Sequence, residues 1–323
     1  MKSLKLKGVL IVLVLSIFIL PRIITKVKFI VVLLMFVLCG CCLPEVEAKD
    51  AGLDVQKDWR VGVAAWSFNK FTFFEAIDKT ASLGLGFIES FDSQRISKDI
   101  PEKMGQNLSD EILAKIKGKL DSARVKLTSH YFFELPSDER RCRQAFEFGR
   151  KLGMETFVCE PELQALDTIE KLCNEYGINL AIHNHPKGRS RYWHPREVLK
   201  VCQGRSKRIG ACGDTGHWVR SGINPVEAVK MLQDRLISFH IKDLNKFGDP
   251  NAHDVPWGSG KGQIEPLLTE LHRQGVKPTL FGIEYEHHME NSLPEIAECV
   301  RFFNRITAEL AGPPAKTMTK IEN

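Results

Sequence analysis

Six cysteines lie beyond residue 48 (Cys142, Cys159, Cys173, Cys202, Cys212 and Cys299), and no two of them form a Cys-x-x-Cys pair. That spacing builds zinc knuckles, which are therefore excluded, and no disulfide framework can be read from such scattered positions. Most of the six fall inside apolar patterns, where cysteine acts as a small core hydrophobe. Charge of one sign is also scarce. The formal net charge is +5, of which +4 belongs to residues 1–48 and +1 to the remainder. A near-neutral body gives no electrostatic reason to invoke a nucleic-acid partner. No apolar run reaches the roughly 20 residues that a bilayer-spanning helix needs. With 43% hydrophobic and 26% charged residues, the composition excludes extensive disorder and collagen-like structure.

What the N-terminus does have is two short apolar runs. Val9 to Leu20 ends at Pro21-Arg22, and Phe29 to Leu38 follows Lys26 and Lys28. A basic flank, an apolar stretch and a small-residue exit form the order of a secretory signal. Residues 1–48 are therefore expected to be a signal or lipoprotein anchor region. The chain is expected to be exported: periplasmic, secreted or lipid-anchored, with membrane contact only through this segment. Val46-Glu-Ala48 is one candidate cleavage site. Leu38-Cys-Gly-Cys41 resembles a lipobox and makes Cys41 a lipidation candidate.

From Trp59 onward, short β-branched or aromatic runs alternate with longer amphipathic stretches, the pattern of βα units around a parallel sheet. Strands are expected at 60–66, 86–91, 126–131, 156–160, 179–183, 208–214, 236–242 and 279–286. Helices are expected at 72–83, 110–123, 138–152, 166–176, 195–203, 225–233, 264–274 and 294–310. Ser109 before Asp110, and Asn224 before Pro225, read as helix N-caps; Gly84, Gly153 and Gly177 follow helix ends. Eight βα repeats in roughly 250 residues match a single closed (β/α)₈ barrel over 59–310, with a disordered tail at 311–323. An open doubly wound sheet would usually show a glycine-rich turn after its first strand. Here that turn, Trp66-Ser-Phe-Asn-Lys-Phe71, has no glycine.

In a barrel the strand C-termini face one cavity. Glu89, His130, Glu160, His183, His185, Asp214, His217, His240, Lys242, Glu284 and Glu286 all stand at or near expected strand ends. Residues two apart share a face, as His240 does with Lys242 and Glu284 with Glu286. Glu160, Asp214, His240 and Glu284 would supply three carboxylates and one imidazole from four strands. So much negative charge in one pocket calls for a divalent cation: Mn²⁺ foremost, with Mg²⁺, Co²⁺ or Zn²⁺ as alternatives.

Ile182-His-Asn-His-Pro186, Gly213-Asp-Thr-Gly-His-Trp218, Phe239-His-Ile-Lys-Asp243, Pro256-Trp-Gly-Ser-Gly260 and Gly282-Ile-Glu-Tyr-Glu286 together resemble the xylose isomerase-like TIM barrel superfamily. The nearest branch is the sugar phosphate isomerase/epimerase group, similar to inosose dehydratases and ketose 3-epimerases. The resemblance implies one divalent metal, with its Asp at Asp214, its His at His240 and its last Glu at Glu284. The first Glu of the ketose epimerases lies on strand five, where this chain has His183. In the inosose dehydratase-like branch a strand-four Glu serves, and Glu160 fits. Glu160 is the expected fourth ligand, and His183 its rival.

The implied chemistry is proton transfer next to a carbonyl through a metal-stabilised ene-diolate, on a sugar, cyclitol or sugar acid. Glu160 and Glu284 are the candidate acid–base pair, with a histidine as the alternative to Glu160 as general base. His185, His217 and Lys242 are catalytic candidates that would bind substrate hydroxyls or stabilise developing negative charge. His130, His183, Trp66 and Trp257 complete the expected substrate-binding set, and His130 and Glu89 are also candidates for orienting the ligands. The loop before Pro256 is expected to close over the pocket on its glycines. His194, His253, His272, His287 and His288 read as surface histidines, and Arg189 and Arg191 as a solvated basic loop. A dehydratase or lyase of the same superfamily and a non-catalytic sugar-binding barrel are the alternatives. Endonuclease IV-like repair would need a basic DNA-facing surface that this chain lacks. The expected partner is a small carbohydrate, and homo-oligomer formation stays open.

Overall fold

The computed structural model describes residues 53–312. The expected signal region, Cys41 and nearly all of the expected tail lie outside these residues. Eight parallel strands close into one barrel: β1 (Val61–Ala64), β2 (Phe87–Phe91), β3 (Lys126–Tyr131), β4 (Thr156–Cys159), β5 (Asn179–Ile182), β6 (Ile209–Asp214), β7 (Leu236–Ile241) and β10 (Phe281–Ile283). Around the barrel the order is β1-β10-β7-β6-β5-β4-β3-β2. A two-residue hairpin, β8 (Asp243–Leu244) and β9 (Asp254–Val255), rises from the end of β7. Among the described residues no helix is long and apolar enough to cross a membrane.

The helices are α1 (Val55–Asp58), α2 (Phe73–Ser82), α3 (Asp110–Ala123), α4 (Glu139–Leu152), α5 (Leu166–Tyr176), α6 (Pro195–Cys202), α7 (Thr215–Arg220), α8 (Pro225–Leu232), α9 (Ile264–Arg273) and α10 (Leu293–Leu310). Their starts are set by side chains that satisfy free backbone N–H groups. Thr72 and Glu75 form a reciprocal capping box at α2, and Ser109, Asp138 and Asn224 cap α3, α4 and α8. Gly153 and Gly177 end α4 and α5 in left-handed conformation, as their positions in the sequence suggest.

Closure brings backbones very close. A Cβ on Gly62 would lie 2.3 Å from the Phe87 carbonyl oxygen, and one on Gly210 would lie 2.2 Å from that of Arg235. Only glycine fits at either strand crossing. The core fills both the barrel interior and the layer between strands and helices. The six described cysteines are all buried and unpaired.

Two differences from the sequence expectation matter for the site. The short helix α7 follows β6 with no loop between them, because the Asp214 carboxylate caps it by accepting from the His217 N–H at 2.7 Å. The glycines of Gly258, Gly260 and Gly262 also serve a different purpose from a hinge. Their N–H groups donate to the buried Asp243 carboxylate at 2.9, 2.9 and 2.7 Å. A Cβ on Gly260 would fall 2.3 Å from an Asp243 oxygen. The glycines allow close approach to an anion and so tether the loop rather than free it.

Candidate functional site

The C-terminal ends of the strands open into a cavity of about 1030 Å³. Strand register builds its floor. Asp214, the last residue of β6, is the direct Cα partner of His240 on β7, which is in turn paired with Gly282 on β10. Glu284 follows two residues later, and its N–H reaches the Ile241 carbonyl at 3.3 Å. His183 stands one residue past β5. A register shift between Ile88 and Glu89 on β2 marks the bulge that sets Glu89 against Ser129.

His183, Asp214, His240 and Glu284 converge: one ligand atom from each lies within 4.8 Å of every other, and all four residues are buried. Their hydrogen bonds show which atoms are free. His240 Nε2 lies 2.5 Å from Glu89 Oε1, and Glu89 is itself fixed by the Ser129 hydroxyl at 2.7 Å. With Nε2–H donating to that carboxylate, Nδ1 is the His240 nitrogen that could turn to a cation, which would take the place of the proton held there. Nδ1 lies 3.0 Å from Glu284 Oε2 and is a buried atom with no hydrogen-bond partner, while Glu284 Oε2 has the Lys242 ammonium as its ion-pair partner at 2.9 Å. His183 repeats the design: Nδ1 faces Glu160 Oε1 at 3.2 Å, and Nε2 points towards Asp214 Oδ2 at 3.5 Å. An imidazole tethered by a carboxylate through one nitrogen, with the other aimed into a polar cluster, is the arrangement of a metal-binding histidine. An unpartnered buried imidazole nitrogen and a donor set of two imidazoles and two carboxylates therefore fit a divalent ion.

Electrostatics agree. Burial works against the charged form of His240, yet Cys212, Glu89 and Glu284 around it hold its pKa well above the usual range. Burial opposes ionisation of Asp214 too, but the Lys242 ammonium and the contact with His183 keep it well below the ordinary carboxylate range. This is a field that favours a cation at its centre. Lys242, 1% exposed, already supplies one positive charge. Its Nζ lies 2.9 Å from both Asp214 Oδ2 and Glu284 Oε2 and 3.2 Å from Glu286 Oε2. Despite burial, these carboxylates hold the ammonium well above the usual lysine range.

Of the two candidates for the first ligand, His183 therefore stands within the group and Glu160 stands behind it. Glu160 forms a second cluster with His183 and His185. His185 Nδ1 sits 2.6 Å from Glu160 Oε1, and its ring, 44% exposed, lines the cavity beside His217 with ring centroids 5.0 Å apart. Burial penalises the Glu160 carboxylate, but the two histidines bring its pKa far below the usual range. At His217 the tautomer follows from Arg220. A guanidinium only donates, and it meets His217 Nδ1 at 3.1 Å, so the proton resides on Nε2. Burial depresses the His217 pKa well below the ordinary value, in keeping with a neutral ring.

Trp66 lines the cavity and donates from Nε1 to Glu286 at 2.9 Å. Two expected substrate contacts do not. His130 points out of the barrel between Ser90 (2.7 Å) and Asp92 (3.0 Å), with its ring against Phe132 and Phe148 in the helix layer. Strand alternation puts its neighbours Ser129 and Tyr131 inward and sends His130 outward. Trp257 donates to the Ile241 carbonyl at 3.2 Å and packs near Phe303, between barrel and helices. Pro250, Asn251 and Ala252 of the β8–β9 loop line the cavity, whereas residues 256–260 do not.

Sequence reasoning missed Tyr131, Arg220 and Asp254. Tyr131 lines the cavity with its ring centroid 5.2 Å from that of His183, and its parity with Ser129 was the available signal. Arg220 lies three residues after His217 on α7, a helix that was not foreseen. Asp254 accepts from the Glu286 N–H at 2.5 Å, joins the hairpin to the end of β10, and is pushed up to about 7 by burial.

A family model for the xylose isomerase-like TIM barrel matches residues 77–306. The chain is 31% identical to an uncharacterised protein from Parabacteroides distasonis of known crystal structure, covering 77% of this chain and 99% of that one with a TM-score of 0.63. A D-psicose 3-epimerase crystallised with D-fructose is 16% identical (79% and 100% covered, TM-score 0.58). The IOLI protein with a bound zinc atom is 14% identical (77% and 96% covered, TM-score 0.57). At those identities the likeness is one of fold. The chain spans about a third of the length of the curated relative it matches, the uncharacterised protein y4fM of Sinorhizobium fredii, at 26% identity over 108 residues. Barrel, site geometry and family match agree, and the chain belongs to the xylose isomerase-like TIM barrel family.

Proposed function

We propose that the protein is a divalent-metal-dependent isomerase or epimerase that moves a proton next to a carbonyl of a sugar, cyclitol or sugar acid. The observation that carries this reading is the convergence of ligand atoms from His183, Asp214, His240 and Glu284 at the base of an open cavity. A divalent ion held there supplies Lewis acidity, which polarises a carbonyl and makes the adjacent C–H acidic. Two imidazoles among four donors favour Mn²⁺, Co²⁺ or Zn²⁺ over the all-oxygen preference of Mg²⁺.

The chain's own groups then move the proton. His185 presents its free Nε2 to the cavity while Glu160 holds Nδ1, so it can take a proton from the carbinol carbon and return it to the neighbouring carbon or oxygen. Glu284 is the carboxylate candidate on the cavity floor for the opposite face. His217 Nε2–H and the Tyr131 hydroxyl are donors for substrate oxygens. Burial raises the Tyr131 pKa far above its usual value, which keeps the phenol protonated. Lys242 balances the negative charge of the floor. The side-by-side rings of His185 and His217 also suit an acid and a base working on neighbouring carbons, which favours a dehydratase as the second reading.

The test is metal analysis of the purified protein, followed by a screen of keto-sugars and inososes in D₂O. Deuterium at the carbon beside the carbonyl is expected, and loss of water would select the dehydratase. No exchange across the panel would leave a binding-only barrel. Glu160→Gln should cut both kcat and metal affinity by about 10- to 100-fold, the usual effect of removing a carboxylate that orients a ligand histidine; unchanged metal affinity would separate Glu160 from His183. The proposal includes export, which rests on the basic and apolar order of residues 1–48; N-terminal sequencing of the mature chain checks it.

A further inference from the structure

The cavity is larger than the chemistry at its floor requires. About 1030 Å³ is at the top of the ~300–1,000 Å³ range of small-molecule sites, well beyond what one sugar ring fills. Rings follow one another outward from the buried His240 to the exposed Phe133. Tyr131 lies over His240 (6.2 Å between centroids, planes 29° apart) and beside His183. Phe133 follows it at 6.1 Å. A sugar ring held at His183 and His240 would meet Tyr131 first, and Phe133, one ring further out, would meet what that sugar carries.

Phe133 is a displayed residue rather than a stray one. Its ring is 54% exposed, while its backbone N–H is fixed to the Asp92 carboxylate at 2.8 Å. Lys187 and Arg189 line the same cavity and bring N–H donors for hydroxyl groups. An exposed aromatic face with nearby donors is what a carbohydrate ring needs, with its C–H face against the aromatic and its hydroxyls to polar groups.

We propose that the cavity contains an outer subsite, built around Phe133, for a second sugar ring joined to the reacting one, so that the preferred substrate is a glycosylated keto-sugar rather than a free monosaccharide. The inference rests on the functional reading above for what occupies the floor. Binding energy gained at a remote ring can be used at the reacting centre.

The experiment compares D-fructose with its 3-O-, 5-O- and 6-O-glucosyl derivatives on the Mn²⁺-loaded full chain. Deuterium uptake from D₂O and calorimetric Kd are measured for wild type, Phe133→Ala and Phe133→Trp. At least one disaccharide should exceed fructose in kcat/KM by about tenfold or more. Phe133→Ala should bring that ratio close to one, and Phe133→Trp should restore it. Fructose matching or exceeding every disaccharide would overturn the subsite, as would a ratio unaffected by Phe133→Ala or binding of none of the compounds. Phe133-dependent preference in Kd without any exchange would uphold the subsite and instead sink the isomerase reading.

Discussion

Asp214→Asn protein should purify with less than about a tenth of the wild-type metal content, and its turnover should fall by about 10²–10⁴-fold, the range for losing a group central to proton transfer or charge stabilisation. The substitution is chosen because Asp214 has two separable roles. Its Oδ1 caps α7 through the His217 N–H, which an asparagine oxygen can still do at little cost. Its Oδ2 faces Lys242 at 2.9 Å and His183 at 3.5 Å and is the atom available to a cation. Asparagine keeps the cap and removes the charge, so fold and ligation part company. Elemental analysis per mole of chain, with circular dichroism as the fold control, reads the outcome. Full metal content in the variant would remove Asp214 from the ligand group.

Lys242→Met should destabilise the chelator-treated protein by about 3–5 kcal/mol, because removing one partner leaves buried carboxylates uncompensated. For a folded body of this size, at about 2.1 cal/mol/K of unfolding entropy per residue, that corresponds to a fall in Tm of roughly 5–9 °C. The ammonium is 1% exposed and holds Asp214, Glu284 and Glu286 together. The same charge repels a divalent ion sharing the Asp214 and Glu284 oxygens, so Mn²⁺ should raise the Tm of the variant by more than that of wild type. Calorimetry with and without metal measures both effects. An unchanged Tm in chelator would show that Lys242 is not what balances those carboxylates, and an equal Mn²⁺ response would place the ion away from it.

Parts of this site were legible in the chain because they depend on local order. Asp214, His240 and Glu284 each stand at or within one residue of a strand's C-terminal end, and every strand of a parallel barrel ends on the same face. Helices α3 and α5 begin and end where caps, apolar spacing and a following glycine place them. Other parts had no local signal. In β3, residues 127–130 are all buried, because the barrel interior covers one face and the helices cover the other. With no polar and apolar alternation to read, parity alone puts Ser129 and Tyr131 on one face and His130 on the other, and nothing in the sequence said which face is the inner one. Glu160 and His183 stand one residue past β4 and β5, and only the pleat and the tilt of the closed sheet put the imidazole forward and the carboxylate behind it. The glycines of 258–262 looked like a hinge until Asp243 was seen among them.

The sequence by itself determined eight βα units, and with them the set of acidic, imidazole and lysine groups delivered to one rim. Both follow from periodicity, which acts over a few residues. The tertiary structure decided which of those groups meet: His183 with Asp214, Glu89 behind His240, Glu160 behind His183 and His185, and Phe133 at the mouth. Barrel closure fixes these pairings, because the facing of each strand end is set by its register with neighbours as distant in the chain as Val61 and Phe281, paired between β1 and β10, and no short window of sequence carries that information.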